Sequence, residues 1–205
     1  MARGRPRKTD PETVLNAAME LFWDRGFERT SMNDLVEHTG MAKPGLYATF
    51  GDKETIYTKA LKHYFENLGG PLLQDLSKSA DPIDVVLRRV LEAVAVSATK
   101  KENPSGCFVA NSVVECSGQR SILERLGRTY DQARRNAFKE RFQTAKDQAE
   151  IPADSDVNAL AEFFAGQTLA IAVMARAGAD LKTLKQFIDV AMTALPVRSQ
   201  KAIQA

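Results

Sequence analysis

Between Ser31 and Lys53 the chain gathers side chains suited to gripping a large anion rather than to making or breaking bonds. Lys43 and Lys53 bring ammonium groups, Tyr47 and Thr49 bring hydroxyls, and Ser31 and Asn33 bring small polar groups. Hydroxyls, ammonium groups and the open N–H groups of a helix start all bind phosphate oxygens, while Lys and Asn also pair with base edges. Pro44 and Gly45 stand side by side in the middle of this set. They are the two worst helix-interior residues, but a proline in a first turn removes only an N–H that has no partner there. A helix opening at Lys43-Pro44-Gly45 is therefore allowed. Its front is bare, so its backbone can approach a surface. Leu46 and Phe50, four apart, mark its buried face, and Tyr47, Ala48 and Thr49 mark the outward one.

Around this helix the pattern is helical almost everywhere. Val14, Ala17, Ala18, Leu21 and Phe22 form the stripe of a half-buried helix from Pro11 to Gly26. Ser31 reads as the N-cap of a second short helix, with Asp34 in its first turn and Gly40 as its stop. Lys43 then opens the third helix, and Lys53 a fourth that reaches roughly to Asn67, before Gly69-Gly70-Pro71. Two short helices joined by a Gly-containing turn, the second presenting small and hydrogen-bonding groups, make a helix-turn-helix of the kind that enters the major groove of DNA. Further helices start at Asp81-Pro82, follow the loop Asn103 to Gly106, and run through Leu123 to Ala137, Val157 to Ala177 and Leu181 to Leu195. The fold class is all-α: a basic arm at 1–9, a three-helix unit at 10–53, and a larger helical body at 54–205.

The run TSMNDLVEHTGMAKPGLYATFGDKETIY, residues 30–57, resembles the N-terminal DNA-binding domain of the TetR family of bacterial regulators. The likeness covers about the first sixty residues. Gly40, the apolar Met41, Leu46-Tyr47, Phe50 and Lys53 carry it; Val36 and Thr39 stand where alanine is usual, and Gly51-Asp52 replaces a commoner Pro-Ser. The resemblance implies phosphate contacts from Tyr47 and Lys53. It also implies groove contacts from Lys43, Pro44, Gly45, Ala48 and Thr49, with Ser31 and Asn33 reaching in from the second helix. It further implies a repressor that holds a palindromic operator as a homodimer and is released by a small-molecule inducer in the body.

The arm adds charge where it helps. Arg3, Arg5, Arg7 and Lys8 precede the first acid, Asp10, whereas the whole chain carries a formal net charge of only +2. Arg3-Gly4-Arg5-Pro6 resembles the Gly-Arg-Pro core of AT-hooks, whose arginines enter narrow A·T-rich minor grooves. An architectural A·T-binding protein is therefore a second reading.

In the body, Leu181, Leu184, Ile188, Ala191 and Leu195 step by three and four, a coiled-coil-like seam, and the preceding helix is apolar almost all round with Gly166 permitting close approach. Phe163, Gly166, Ala170, Leu184, Ile188 and Ala191 are the expected dimer surface, and two heads would then address half-sites about 34–36 Å apart. Cys107 and Cys116 lie nine residues apart, about 13.5 Å on one helix, so they do not bridge within it. Cys107 follows Gly106 at a helix start, a place that favours the thiolate, and a Gly-Cys here resembles a thiol-sensing branch of the family, so an electrophile- or oxidant-sensing repressor is a third reading. No Ser/His/Asp set, Gly-rich phosphate loop or metal cluster is legible, which argues against an enzyme and predicts neither cofactor nor metal. A basic rather than signal-like N-terminus and no unbroken apolar run of about eighteen residues predict a cytoplasmic protein without a membrane partner.

Overall fold

The computed structural model describes residues 10–115 and 122–196, and among these every regular element is a helix. Helices α1 (Pro11–Arg25), α2 (Met32–Thr39) and α3 (Lys43–Phe50) open the chain. Each starts where local chemistry asks. Asp10 accepts from the Thr13 N–H at 3.1 Å ahead of Pro11, and Ser31 and Asp34 close a reciprocal capping box on α2. α3 has no side-chain cap and has Pro44 in its first turn. Leu35, Leu46 and Phe50 are buried against Val14, Ala18, Phe22 and Trp23 of α1, which fixes the side of α3 that faces out.

Helix α4 (Lys53–Tyr64) starts on an Asp52 cap and does not stop at the expected glycines. Residues Phe65–Gly69 form a π-turn, and α5 (Gly70–Lys78) follows without a break. The reason is local. Pro71 has no N–H for the helical ladder, and the widened turn instead lets the Gly70 N–H reach the Phe65 carbonyl. A Cβ on Gly70 would lie 2.9 Å from that same oxygen, so the turn closes only around glycine.

The body comprises α6 (Ile83–Thr99), α7 (Phe108–Glu115), α8 (Ile122–Asp147), α9 (Val157–Arg176) and α10 (Leu181–Met192). Its core gathers Leu87, Val90 and Leu91 of α6, Phe138 and Phe142 of α8, and Phe164 and Ile171 of α9. A second core joins α1–α3 to Ile56, Tyr57, Leu61 and Tyr64 of α4, and also takes in Phe108 and Leu123 from the body. By length and composition α9 is apolar enough to cross a membrane, but here it packs against α6 and α8 with Ala161, Phe164, Ala165 and Ile171 inside.

One expectation is corrected. Leu184, Ile188 and Ala191 are buried inside this chain, where α10 packs onto α6 and α9, and so are not on a dimer surface. A three–four stripe shows that a helix has an apolar face. It does not say whether the same chain or another covers it.

Candidate nucleic-acid interface and its link to the body

The exposed front of α3 is built from residues the core leaves outside. Tyr47 is 47% exposed, and Lys43, Pro44, Ala48 and Thr49 are exposed beside it, while Gly45 is half-buried against Met41. Asn33, exposed on α2, comes next to them: its Oδ1 accepts from Lys43 Nζ at 3.4 Å. The two helices thus bring an ammonium and a carboxamide together, groups whose chemistry suits guanine and adenine edges respectively. Ser31 is exposed, but its hydroxyl is engaged in the cap, donating to Asp34 Oδ2 at 2.5 Å and accepting from the Asp34 N–H at 3.1 Å. That hydrogen bond, then the Ser31 N–H, hold the Asp34 carboxyl below the ordinary carboxylate range. Arg3, Arg5 and Arg7 lie outside the described residues.

Lys53 has a different setting from the one expected. Its ammonium donates to the Phe27 carbonyl at 3.1 Å and sits 4.1 Å from the centroid of the Phe27 ring, so it ties α4 to the corner after α1. Lys59, which sequence reasoning missed, does the same for the end of α3, donating to the Phe50 carbonyl at 3.1 Å.

Further contacts invisible in the sequence join this head, together with α4, to the rest of the body. Glu115, at the end of α7, accepts from the N–H groups of Phe27 and Glu28, each at 3.0 Å. Gly26 makes room for it: a Cβ there would lie 2.6 Å from the carboxylate, at a backbone φ of 84° that disfavours other residues. On the same helix Ser112 Oγ meets the Tyr57 hydroxyl of α4 at 2.6 Å in a fully buried contact. Arg176, ending α9, donates to the Asp24 carbonyl at 2.7 Å and the Ser105 carbonyl at 3.2 Å. None of these partners is near the other in sequence, so no local pattern announces them.

The other end of α7 borders a half-open cavity of about 230 Å³ between the end of α4, the π-turn, α5, α6, α8 and α9. Cys107 is on its wall, half-buried, with the Tyr64 hydroxyl donating to Sγ at 3.4 Å. That is the setting of a small packed side chain, and the thiol-sensing alternative is not favoured. Cys116 lies outside the described residues. Of the expected dimer residues, Phe163 is 40% exposed, and Gly166 and Ala170 are half-buried on the outer side of α9.

Two family models match the chain. One described as "Bacterial regulatory proteins, tetR family" covers residues 14–60, and one described as "Tetracyclin repressor-like, C-terminal domain" covers residues 86–191. The chain is 30% identical over 195 residues to the HTH-type transcriptional repressor ComR of Escherichia coli (strain K12), spanning 95% of this chain and 93% of that protein. It is 28% identical over 193 residues to the HTH-type transcriptional regulator YezE of Bacillus subtilis (strain 168), spanning 94% and 99%. Among solved structures it is similar, with a TM-score of 0.86 and 27% identity, to a cysteine mutant of the TetR family transcriptional regulator CifR complexed with 26-bp double-strand operator DNA, which covers 94% of this chain and 100% of that one.

Proposed function

The chain belongs to the TetR family of bacterial transcriptional regulators, and from that premise we propose that it is a cytoplasmic repressor, binding a palindromic operator as a homodimer and released by a small molecule. The observation that carries the reading is the exposed front of α3, with Lys43 and Asn33 side by side above Tyr47 and Thr49. In this reading Lys43, Asn33, Thr49 and the small residues Pro44, Gly45 and Ala48 meet the groove, and Tyr47 binds phosphate. Ser31 and Lys53 support the reading element from behind, and Lys53 reaches phosphate only by leaving Phe27. The arm, with Arg3, Arg5 and Arg7, follows the adjacent minor groove.

Residues 10–53 act as the head and 54–205 as the body, with α4 shared between them. Release needs an arrangement of the heads that a ligand prefers, since equal affinity for both arrangements shifts nothing. Helix α7 is placed to couple the two, because Cys107 and Val109 line the cavity at one end and Glu115 holds the head at the other.

Fluorescence anisotropy with the chain's own upstream DNA, titrated across salt, tests this. Lys43→Ala is expected to lower specific affinity by about 1–3 kcal/mol and to relax base preference at one position. Tyr47→Phe is expected to weaken all sequences alike. Undiminished, sequence-independent binding by both variants would refute the assignment of α3 as the reading helix.

A further inference from the structure

The cavity at the N-terminal end of α7 is apolar over most of its wall, with Leu72, Val94 and Val109 among the side chains on it. At about 230 Å³ it exceeds the 150 Å³ or so that admits benzene to an engineered apolar core and falls short of the ~300–1,000 Å³ of sites for drug-sized ligands. One ring with a short substituent is the size that fits. Phe65 and Tyr130 add an aromatic side, their rings stacked with centroids 4.2 Å apart. Leu68, also on the wall, is 41% exposed and marks the open side.

Two charged residues share that wall, Asp131 and Arg134, one helical turn apart on α8. Both side chains keep some surface, 20% for Asp131 and 13% for Arg134, yet they are engaged with each other. One terminal nitrogen of Arg134 donates to Asp131 Oδ1, and the other to Thr168 Oγ1 at 3.2 Å. Thr168 in turn gives its proton to the Ala165 carbonyl at 2.7 Å. The second oxygen of Asp131 accepts from Arg135 Nε at 2.9 Å, and Arg135 also pairs with Glu162 on α9. Two guanidiniums and two carboxylates thus form a neutral set. Burial pulls the Arg134 pKa below its ordinary value, and the Asp131 carboxylate opposes that. Without Asp131 the guanidinium would border an apolar cavity with its charge unpaired, a costly state that a ligand's carboxylate would relieve. Asp131 therefore stands where such a carboxylate would go. Of the other polar side chains on the wall, the Tyr64 hydroxyl is engaged with Cys107 Sγ at 3.4 Å, and Ser97 carries a hydroxyl, which does not offset a charge.

We propose that this cavity takes an uncharged, apolar molecule of about one ring, and that Asp131 sets this selectivity by occupying the guanidinium edge of Arg134 that would otherwise bind a carboxylate. The proposal rests on the reading of the body as the ligand-responsive half of the molecule, and binding can be measured apart from release. Isothermal titration of the full chain with ethylbenzene, benzoate and benzylamine, which share one ring and a similar size, tests it. Wild type should bind ethylbenzene at least about tenfold more tightly than either charged probe. Asp131→Asn keeps the shape and removes one negative charge, so benzoate affinity should rise about tenfold or more while ethylbenzene is unchanged. Adding Arg134→Met to that variant restores neutrality and should return benzoate to the wild-type level, which assigns the gained anion to the guanidinium. Tightest binding of benzoate or benzylamine by wild type overturns the proposal, as does a cooperatively melting protein that takes up none of the three. That ranking is a test whether or not the variants fold. A folded Asp131→Asn protein with no gain in benzoate, or a gain that survives Arg134→Met, removes Asp131 from its role. Ethylbenzene binding without any loss of operator affinity would uphold the ligand chemistry and overturn the ligand-responsive reading instead.

Discussion

Glu115 uses each carboxylate oxygen for one main-chain N–H of the corner after α1, where the helix has ended and donors would otherwise face water. Glu115→Gln keeps the shape but turns one acceptor into a donor aimed at an N–H, and removes the charge that shortens and strengthens such bonds. A loss of about 1–3 kcal/mol is expected by chemical denaturation. Gly26→Ala, which pushes a methyl into the same carboxylate, should damage the same contact, so the double variant should lose less than the sum. Asp34 offers a test in pH. Its carboxyl is held below the ordinary value of 3.8 by Ser31, so the folded state binds that proton more weakly than the unfolded chain. The stabilisation is therefore fully present above the ordinary value and disappears as pH falls through the lowered one. Urea midpoints measured between about pH 6 and pH 3 should show wild type losing its advantage over Asp34→Asn across that acid window, with a constant gap above it. The capping pair was legible because Ser31 and Asp34 are one turn apart. Glu115 was not, because its partners stand 87 and 88 residues away and nothing in the spacing joins them.

The π-turn of α4–α5 shows what local pattern misreads. Gly69-Gly70-Pro71 carries every sign of a helix stop, yet the helix continues because one widened turn accommodates both the missing Pro71 N–H and the close Phe65 carbonyl. Packing of Leu72, Leu73 and Leu76 onto the body core favours continuation over the break that intrinsic propensity prefers. Gly70→Ala is the sharp test at this scale. Its methyl meets a backbone oxygen rather than a flexible side chain, so relief requires the turn itself to move. A cost of about 1–3 kcal/mol is expected from thermal melts, as for other overpacked sites. Because Phe65, Leu68 and Gly69 also line the cavity, the variant should alter ligand binding more than operator binding. By contrast, α1 to α3 were legible almost residue by residue. Their caps, stops and buried stripes are all local, and the one outward face left over is the face that carries Lys43 and Tyr47.

At the scale of the whole molecule, the homodimer proposed above would pair along the outer side of α9, which is open, rather than along the seam of α10, which is buried. Ala159, Phe163, Gly166, Ala170, Val173 and Ala177 follow one another by four and three residues, and all of them are exposed or half-buried. Gly166 is telling here. Glycine inside a helix costs about 1 kcal/mol relative to alanine, and a Cβ at this position would meet nothing within 4 Å in its own chain. The absence of a side chain therefore serves no internal packing, and it suits a second helix coming close. Val190 on α10 is likewise an exposed apolar residue, at 70%. The sequence announced both stripes with the same three–four period, and only tertiary packing decided that α10 turns Leu184 and Ile188 inward onto α6 and α9. Two charge insertions separate the roles. Val173→Arg, at a position 58% exposed, should leave the monomer's melting curve nearly unchanged and weaken self-association by about 2 kcal/mol or more in sedimentation equilibrium. Operator affinity should then fall further than any single contact accounts for, because the second head no longer binds at the effective concentration that pairing provides. Ile188→Arg should instead abolish cooperative folding, since it places an unpaired charge in the body's core. If Val173→Arg remains dimeric and Ile188→Arg gives a folded monomer, the pairing surface is on α10 after all.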